Sequence, residues 1–594
     1  MGVAAAYRFL EERRTVVLEL VQDGAFALRA HRDLAPILQQ LLDRVVAPLS
    51  VGLDGPLYSL LDQPRVLEVL GRQCGSGTAL NLRLRPVPQS SIAALERARS
   101  LDATASAPAA GEAWEAARER LQRKGLLHLL RKHQLRFIEW ALPRRRVLCA
   151  DDMGLGKTLQ ALALMVALDA FPALVVCPAF ARAGWAAQLE HWGVAWPGEY
   201  RVIRGASSAL PNAAGADAGL RIAVASYGML QRQFQPIRRR QWRAFIIDES
   251  HRIGTSRRCE DDASGRLDGP CALEARAALQ LLSAVSKETP VLLLTGTPAW
   301  AGTFDVYNQA ALLAPGLLGR TKWSFAQDYF RTSREPVCRG FETAFRLSIG
   351  ACERPRELNL LLSRTVMLRR RRCEVLEGLP QLQLVELPLE LRPAHVSAVV
   401  AKHGICRGPT GAWEGVATAW ERAGLCKVQA AAELLKEKLA ACADAGEAVV
   451  IFVRHHRVRE ALEGVLAAEL PQLRTTSLAG PQREPALRDF TAGRCDCAVC
   501  MVESCGVAID LSRACVCLFL ELPETASEFS QAIARLHRQG QRSAVTAHVV
   551  LSSAPREARG RDSGASEQQL LAECLRSDRK HWRRLLQGQS EAMK

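Results

Sequence analysis

Residues 147–168 read VLCADDMGLGKTLQALALMVAL, and this stretch decides the fold of the region around it. An apolar run leads through a glycine-bearing turn into a long apolar run that is typical of a buried helix. A strand, turn and helix N-terminus in this order place several backbone N–H groups around an anion. In such a loop Lys157 supplies a positive charge for the β and γ phosphates, and Thr158 a hydroxyl for Mg²⁺. The predicted nucleotide-binding residues here are Asp152, Met153, Gly154, Leu155, Gly156, Lys157 and Thr158.

The match to the general phosphate-loop pattern is incomplete, because that pattern has glycine at the position of Asp151. A second signal supports the assignment. Asp248-Glu249-Ser250-His251 directly follows the apolar run FII. A carboxylate at the end of a parallel strand reaches the Mg²⁺ of a phosphate loop, so Asp248 is predicted to bind the metal together with Thr158. Glu249 is placed to orient or deprotonate the attacking water.

Short apolar runs alternate with helical stretches in two separate regions of the chain. Runs that are apolar on both faces and separated by helices are typical of buried strands in a parallel sheet. The sequence therefore predicts an α/β protein with two such units. The runs are VLCA at 147, ALVVC at 173, IAVAS at 222, FIID at 245 and VLLLT at 291, then VVIFV at 449, CAVCMV at 497, VCLFL at 516 and VTAHVVL at 545.

Several motifs in order resemble those of the Swi/Snf ATPases, which belong to helicase superfamily two. DDMGLGKT, DESH and LTGTP, ending at Pro298, are similar to motifs I, II and III of that family. Within it, the sequence is most similar to the annealing-helicase branch of the HepA-related protein (HARP). Further matches are Gln134 (Q motif), residues 177–192 (motif Ia), residues 226–230 (motif Ib), Met367-Leu368-Arg369-Arg370 through Leu379-Pro380 (the bridging segment) and residues 531–541 (motif VI).

The resemblance implies two RecA-like lobes, each a parallel sheet flanked by helices, with a small N-terminal α+β accessory domain. It also implies ATP and Mg²⁺ as cofactors, with Gln134 contacting the adenine. Arg535 and Arg538 of motif VI would complete the site on the γ-phosphate, as arginine fingers do.

Three departures from the family pattern fall outside the nucleotide pocket. Ala508 stands where motif V has its main glycine, and Asp510 where Asn or Thr is usual. Residues 524–526 replace the family's Trp-Asn-Pro, and the stretch 478–483 is shorter than its counterpart. ATP hydrolysis is therefore expected to be better preserved than efficient translocation.

The predicted domain boundaries follow these patterns. The small-residue stretch SLDATASAPAAG is interpreted as a linker, and residues 251–272 as a surface loop. The N-terminal region 1–99 is either a HARP-like module or an unrelated docking domain. The predicted domains are 1–99 (accessory), 100–112 (linker), 113–352 (lobe 1), 353–445 (helical inter-lobe connection), 446–560 (lobe 2) and 561–594 (basic helical tail).

Composition and charge limit the class of protein and its partners. The 594 residues carry 78 Lys plus Arg against 62 Asp plus Glu, a net charge of +16, which leaves nucleic acid open as a partner. No apolar run reaches the roughly 18–20 residues of a membrane helix, and the start does not resemble a secretory signal, so an intracellular protein with reduced cysteines is expected. The spacing of Cys495, Cys497, Cys500 and Cys505 invites a zinc interpretation, but buried thiols on a strand are the favoured alternative.

The function predicted from the resemblance is a DNA-stimulated ATPase that translocates on duplex, forked or branched DNA in the nucleus. It would rewind separated strands or remodel stalled replication forks in DNA repair, with a single-strand-binding protein or a chromatin protein as a further partner. Two alternatives stay open: a nucleosome-sliding remodeller, and a non-catalytic, ATP-gated DNA-binding scaffold.

Overall fold

The computed structural model forms two compact units, Met1–Asp151 with Gly156–Arg370, and Asp152–Leu155 with Arg371–Lys594. The four residues Asp152–Leu155, in the middle of the phosphate loop, are thus grouped with the second unit. The structure describes residues 15–22, 25–31, 34–43, 45–52, 55–74, 82–105, 108–205, 219–254, 259–260, 273–299, 302–339, 342–376, 378–403, 406–407, 413–414, 419–480, 482–502, 509–538, 540–553, 572, 575, 578–583 and 585–586.

The N-terminal residues form a five-stranded sheet with the order β3-β4-β2-β1-β5. The interior strand β1 (Thr15–Gln22) is antiparallel to β2 and parallel to β5. Helix α1 (Ala35–Leu42) buries Leu38 and Leu42. The other elements are β2 (Ala25–Arg29), β3 (Ser50–Gly52), β4 (Gly55–Ser59), α2 (Gln63–Gly71) and β5 (Arg83–Arg85).

The stretch interpreted as a linker is helical where it is described. Helix α3 (Gln89–Ala105) enters it and α4 (Pro108–Arg123) leaves it. The predicted linker SLDATASAPAAG therefore includes helical residues. Alanine has the highest intrinsic helix propensity of all residues, so a stretch of this composition can form a helix.

The first unit contains a seven-stranded sheet with the order β15-β6-β12-β10-β7-β9-β8, and its neighbouring strands are parallel. The central strands are buried along their length, as expected for a sheet covered by helices on both faces. The strands are β6 (Arg146–Cys149), β7 (Ala173–Cys177), β8 (Tyr200–Ile203), β9 (Ile222–Ser226), β10 (Ala244–Asp248), β12 (Val291–Leu294) and β15 (Met367–Leu368).

Helices and a small antiparallel sheet complete the first unit. The small sheet has the order β11-β14-β13. Its strands and the helices are α5 (Lys132–Ala141), α6 (Lys157–Leu168), α7 (Ala181–His191), α8 (Tyr227–Arg232), α9 (Phe234–Arg239), β11 (Cys259–Glu260), α10 (Leu273–Ser283), α11 (Val306–Leu313), α12 (Lys322–Tyr329), β13 (Phe330–Arg339), β14 (Glu342–Cys352) and α13 (Pro355–Thr365).

The second unit is built on a six-stranded parallel sheet with the order β16-β23-β22-β19-β21-β20. Its strands are β16 (Leu382–Glu390), β19 (Ala448–Val453), β20 (Thr475–Ser477), β21 (Cys497–Met501), β22 (Ala514–Phe519) and β23 (Val545–Ser553). The remaining elements are α14 (Arg372–Val375), α15 (Pro393–His403), β17 (Cys406–Arg407), β18 (Trp413–Glu414), α16 (Ala419–Ala430), α17 (Ala432–Asp444), α18 (His456–Glu469), α19 (Arg483–Thr491) and α20 (Ala526–Leu536).

The predicted α/β class, with parallel sheets flanked by helices, is confirmed. The segment 353–445, predicted as a mostly helical connection, contains α13 to α17 and also contributes β15 to the first sheet and β16 to the second. Both strands lie at sheet edges, where one side stays open to solvent and the apolar pattern is weak. Most of the loop predicted at 251–272 lies outside the described residues.

The C-terminal segment packs on the second unit. Residues 578–583 are helical, and Trp582 and Leu585 are buried in its core. Asp578 pairs with the buried Lys427 at 2.7 Å and accepts the Ser552 hydroxyl at 2.6 Å. The basic residues Arg579, Lys580 and Arg583 remain exposed, so this segment is amphipathic. Within the described part of the chain, no helix has the length and apolarity needed to cross a membrane.

Candidate nucleotide-binding site

The phosphate loop lies between β6 and α6, at the carboxyl edge of the first sheet. Gly154 (φ +86°) and Gly156 (φ +78°) adopt the left-handed conformation that glycine allows without strain. Helix α6 begins at Lys157, so its N-terminal N–H groups border the loop. The ammonium group of Lys157 donates to the backbone oxygen of Asp151 at 2.8 Å. The loop therefore has the local geometry that anion binding requires.

Asp151, the residue that broke the general pattern, has a structural role in the first unit. Its side chain is fully buried and accepts from the backbone N–H (3.1 Å) and Nε (3.0 Å) of Arg370 on one oxygen. The other oxygen accepts from Arg370 Nη2 (2.5 Å) and from Gln160 Nε2 (3.1 Å). A charged group on the bridging segment thus holds the start of the phosphate loop, and glycine at this position would leave Arg370 without that carboxylate.

Gln134 lies against the phosphate loop. It is buried on α5, and its side-chain oxygen accepts the backbone N–H of Arg131 at 3.0 Å. Its amide nitrogen is so close to Gly156 that a Cβ at that position would lie 2.4 Å away. Glycine is therefore required at position 156 for steric as well as conformational reasons. The contact of Gln134 with adenine stays a prediction.

Asp248 ends β10, which lies between β7 and β12 in the sheet. One carboxylate oxygen accepts the indole N–H of Trp185 at 2.8 Å, and the other accepts the backbone N–H of Glu249 at 3.0 Å. Burial, and then the negative charge of Glu249, raise the pKa of Asp248 to about 6. The Trp185 hydrogen bond and the positive charge of Lys157 act in the opposite direction.

Glu249 has a left-handed backbone, with φ +52°. This conformation costs a non-glycine residue roughly 1–3 kcal/mol, and such residues often occur at functional sites. The hydroxyl of Tyr227 donates to the backbone oxygen of Asp248 at 2.9 Å and approaches that of Glu249 at 3.4 Å. His251 lies 3.3 Å from the Glu249 carboxylate and 3.0 Å from the Thr295 hydroxyl. Packing around the acidic pair therefore maintains its backbone conformation.

Gln309 is a residue of this site that the sequence did not reveal. It is fully buried on α11 and accepts the Ser250 hydroxyl at 2.9 Å. Its amide donates to the backbone oxygen of Pro298 at 2.8 Å. The serine of DESH is thus joined through one side chain to the segment LTGTP. No local pattern marks Gln309, because its partners are distant in the sequence.

The second unit contains the predicted motif VI on and after α20. The guanidinium of Arg538 approaches the backbone oxygen of Ile509 at 3.4 Å, and Leu511 donates its backbone N–H to the backbone oxygen of Arg535 at 3.1 Å. His537 lies 2.7 Å from the backbone oxygen of Pro380, in the bridging segment. Asp152, grouped with the same unit, accepts the backbone N–H of Arg372 at 3.0 Å. The roles predicted for Arg535 and Arg538 stay predictions.

Motif V is described only from Ile509 onward, so the substitution at Ala508 lies outside the described residues. Asp510 accepts the backbone N–H of Ser512 at 2.9 Å and its hydroxyl at 2.6 Å. Its second oxygen is 3.9 Å from the Arg538 guanidinium. This substitution therefore places a negative charge beside one of the two predicted arginine fingers.

The favoured interpretation of the cysteines near 500 agrees with the structure. Cys497 and Cys500 are buried on β21 and belong to the cores on opposite faces of the sheet. Two side chains that point to opposite faces cannot bind one metal ion. Among the described residues, no group of three or more His, Cys, Asp or Glu side chains could hold a metal.

The residues of the phosphate loop and the acidic pair fit a magnesium-bound nucleotide. Two glycines with positive φ and a helix N-terminus suit phosphate oxygens, and Lys157 supplies a compensating charge. The carboxylate of Asp248 and the hydroxyl of Thr158 are oxygen donors of the kind that Mg²⁺ prefers. Lys157 is close enough to Asp248 to lower its pKa, so the phosphate-binding and metal-binding groups lie together.

Comparison with known proteins agrees with this geometry. The family described as SNF2-related domain matches residues 133–398, and the helicase conserved C-terminal domain matches residues 427–540. The chain therefore contains an SNF2-related domain and a helicase C-terminal domain. The predicted relationship to the Swi/Snf ATPases is confirmed by these matches.

Two curated relatives of this SNF2-related chain indicate the branch. The SWI/SNF-related matrix-associated actin-dependent regulator of chromatin subfamily A-like protein 1 homolog of Caenorhabditis elegans is 26% identical over 72% of this chain and 59% of its own length. The DNA annealing helicase and endonuclease ZRANB3 of Mus musculus is 27% identical over 69% of this chain and 37% of its own. The chain thus spans between about a third and three fifths of these relatives. The predicted likeness to the annealing-helicase branch is confirmed by these curated relatives.

The chain is also similar to a solved structure. The Sulfolobus solfataricus SWI2/SNF2 ATPase core in complex with dsDNA is 19% identical, with a TM-score of 0.34, over 71% of this chain and 88% of that one.

Proposed function

We propose that this SNF2-related protein is an ATP-dependent DNA translocase that hydrolyses ATP with Mg²⁺. The observation that carries the proposal is the grouping of Lys157 with the acidic pair Asp248-Glu249 at one edge of the first sheet. Ligands of parallel α/β sheets bind at the carboxyl ends of the strands, which is where these residues lie. The match of residues 133–398 to the SNF2-related domain supports the same conclusion.

Each predicted site residue has a role in this proposal. Lys157 and the N–H groups of the loop bind the phosphates, and Thr158 and Asp248 hold Mg²⁺, which neutralises the developing charge when bound. Glu249 orients the attacking water and takes up its proton. Arg535 and Arg538 contact the γ-phosphate as arginine fingers. Gln134 contacts the adenine.

We propose further that the work done is rewinding of separated DNA strands or remodelling of stalled replication forks in the nucleus. The relative described as a DNA annealing helicase, 27% identical, supports this choice. The net charge of +16 favours a phosphate backbone as partner. We propose a single-strand-binding protein or a chromatin protein as a further partner.

The test is the ATPase rate of the full chain on single-stranded, duplex, forked and nucleosomal DNA. We expect little turnover without DNA and the largest stimulation by forked DNA. Much stronger stimulation by nucleosomes than by naked DNA would instead favour the nucleosome-sliding alternative. Absence of DNA-stimulated turnover with every substrate would contradict the proposal.

A specific observation favours the scaffold alternative. Asp510 lies 3.9 Å from Arg538, so its charge competes with the γ-phosphate for the predicted arginine finger. A scaffold would bind nucleotide and DNA without annealing activity. A strand-annealing assay with purified DNA and no other protein distinguishes the translocase from the scaffold. Only the translocase rewinds complementary strands in an ATP-dependent way.

Magnesium-dependent nucleotide binding is expected to weaken as the pH falls through about 6. The pKa of Asp248 is raised to about 6, so its carboxylate takes up a proton below that pH and loses its affinity for the metal. Nucleotide binding is measured while Mg²⁺ is titrated at a fixed nucleotide concentration, at several pH values between 5 and 8. In Asp248→Asn, which cannot titrate at this position, the change near pH 6 should be smaller than in the wild type, because only protonation of the nucleotide's own terminal phosphate remains.

A further inference from the structure

Trp185 contacts the acidic pair directly. It is 3% exposed on α7, and its indole N–H donates to one oxygen of the Asp248 carboxylate at 2.8 Å. An indole nitrogen only donates hydrogen bonds, so this contact favours the ionised carboxylate. The other oxygen of Asp248 accepts the backbone N–H of Glu249 at 3.0 Å. Because both oxygens have a protein donor, the plane of the carboxylate is fixed.

The support for Asp248 comes from two helices that follow neighbouring strands. Helix α7 follows β7, which pairs with β10 in parallel register. Helix α8 follows β9, and its first residue, the buried Tyr227, donates to the backbone oxygen of Asp248 at 2.9 Å. Trp185 therefore fixes the side chain, and Tyr227 fixes the backbone.

We propose that Trp185 is a positioning residue, whose indole N–H orients the Asp248 carboxylate for Mg²⁺ in the nucleotide complex. The proposal rests on the proposed function, since it needs Asp248 to bind the metal. A hydrogen-bond donor behind a metal ligand sets the direction of the ligand's free lone pairs. Loss of such a partner typically reduces metal affinity about 10–100-fold.

The test is Trp185→Phe in the full chain, which keeps an aromatic ring in the core but removes the N–H donor. Equilibrium binding of a fluorescent, non-hydrolysable ATP analogue is measured while Mg²⁺ is titrated at pH 7.5. We expect the Mg²⁺ concentration at half-maximal binding to rise about 10–100-fold. Affinity for the analogue in EDTA should change less than twofold, because the phosphate loop is untouched.

Trp192→Phe is the matched control. Trp192 caps the same helix, and its indole N–H donates to Gln188 at 2.7 Å instead of to the acidic pair. This variant should keep the wild-type Mg²⁺ midpoint. Trp185→His, which retains a ring N–H, should recover part of the affinity and also serves if the phenylalanine variant does not fold.

The outcomes separate the two proposals. A wild-type Mg²⁺ midpoint in Trp185→Phe, or equal shifts in Trp185→Phe and Trp192→Phe, would overturn the positioning role and leave the proposed function standing. If nucleotide binding by the wild-type protein does not depend on the Mg²⁺ concentration, both the positioning role and the proposed function are overturned. A shift confined to Trp185→Phe, with partial recovery in Trp185→His, supports the positioning role.

Discussion

Replacement of Lys157 by alanine is expected to lower DNA-stimulated ATP hydrolysis by about 10²–10³-fold. Lys157 is the phosphate-loop residue whose charge reaches Asp248, and its ammonium is held at 2.8 Å by the backbone oxygen of Asp151. A preorganised positive group at the site of developing charge typically contributes this much to the rate. Steady-state ATPase assays on forked DNA measure the change, and fluorescent nucleotide binding shows how much of it is lost affinity.

Glu249→Gln separates chemistry from binding at the same site. The amide keeps the size of the side chain but cannot accept the proton of the attacking water, so turnover should fall about 10²–10⁴-fold. Nucleotide affinity should stay near the wild-type value.

Lys124→Ala is the control for Lys157→Ala. It removes a positive charge from an exposed lysine of the same unit and should leave turnover unchanged. Turnover within twofold of wild type in either site variant would contradict the assigned roles.

The strands and the phosphate loop could be predicted because their signals are local. An apolar run on both faces of a strand and a glycine turn before a helix are visible within about twenty residues of sequence, as in 147–168. The observed β6 and α6 accordingly lie where they were expected. The predicted strand at 545 is likewise present as β23.

Contacts between distant segments could not be predicted in the same way. From the sequence alone, Asp151 is only a departure from the phosphate-loop pattern. The structure shows that its carboxylate binds Arg370, which is more than two hundred residues away. Trp185 was part of a recognised motif, but nothing in its neighbours indicated a bond to Asp248. A short edge strand such as β15 escapes notice for a related reason: two residues have no period to detect.

Helix α4 shows that composition alone does not predict the secondary structure of a linker. Its sequence begins with Pro108 and is rich in alanine at its start. Alanine favours a helix, and proline is well tolerated in the first helical turn. Composition alone did not separate a helix from an irregular linker.

Within the first unit, a buried charged pair joins the N-terminal sheet to helix α13. Arg354 is 1% exposed and donates to the backbone oxygens of Arg85 (2.9 Å) and Pro86 (2.7 Å), and also to that of Leu18. Its partner Glu357 is fully buried and accepts the backbone N–H of Leu20 at 3.1 Å. One arginine therefore satisfies carbonyl groups of two N-terminal segments at once. Burial raises the pKa of Glu357, and the charge of Arg354 opposes that rise.

Arg354→Met is expected to lower the free energy of unfolding of this unit by about 3–5 kcal/mol. Removal of one partner leaves the carboxylate of Glu357 buried without its countercharge, and this costs more than the pair itself contributes. Denaturant unfolding of the full chain measures the loss, and hydrogen exchange of the Leu20 amide reports it locally. Arg320→Met, at an exposed position of the same unit, should change stability by less than about 0.5 kcal/mol.

The double variant Arg354→Met with Glu357→Met decides whether the buried charge is the cause. If it is, the double variant should be more stable than Arg354→Met alone, because no uncompensated carboxylate remains. A double variant as unstable as the sum of the two single variants would show instead that the lost carbonyl contacts dominate. An Arg354→Met chain with wild-type stability would mean that the N-terminal sheet is held by its apolar contacts, and that its attachment does not depend on this pair.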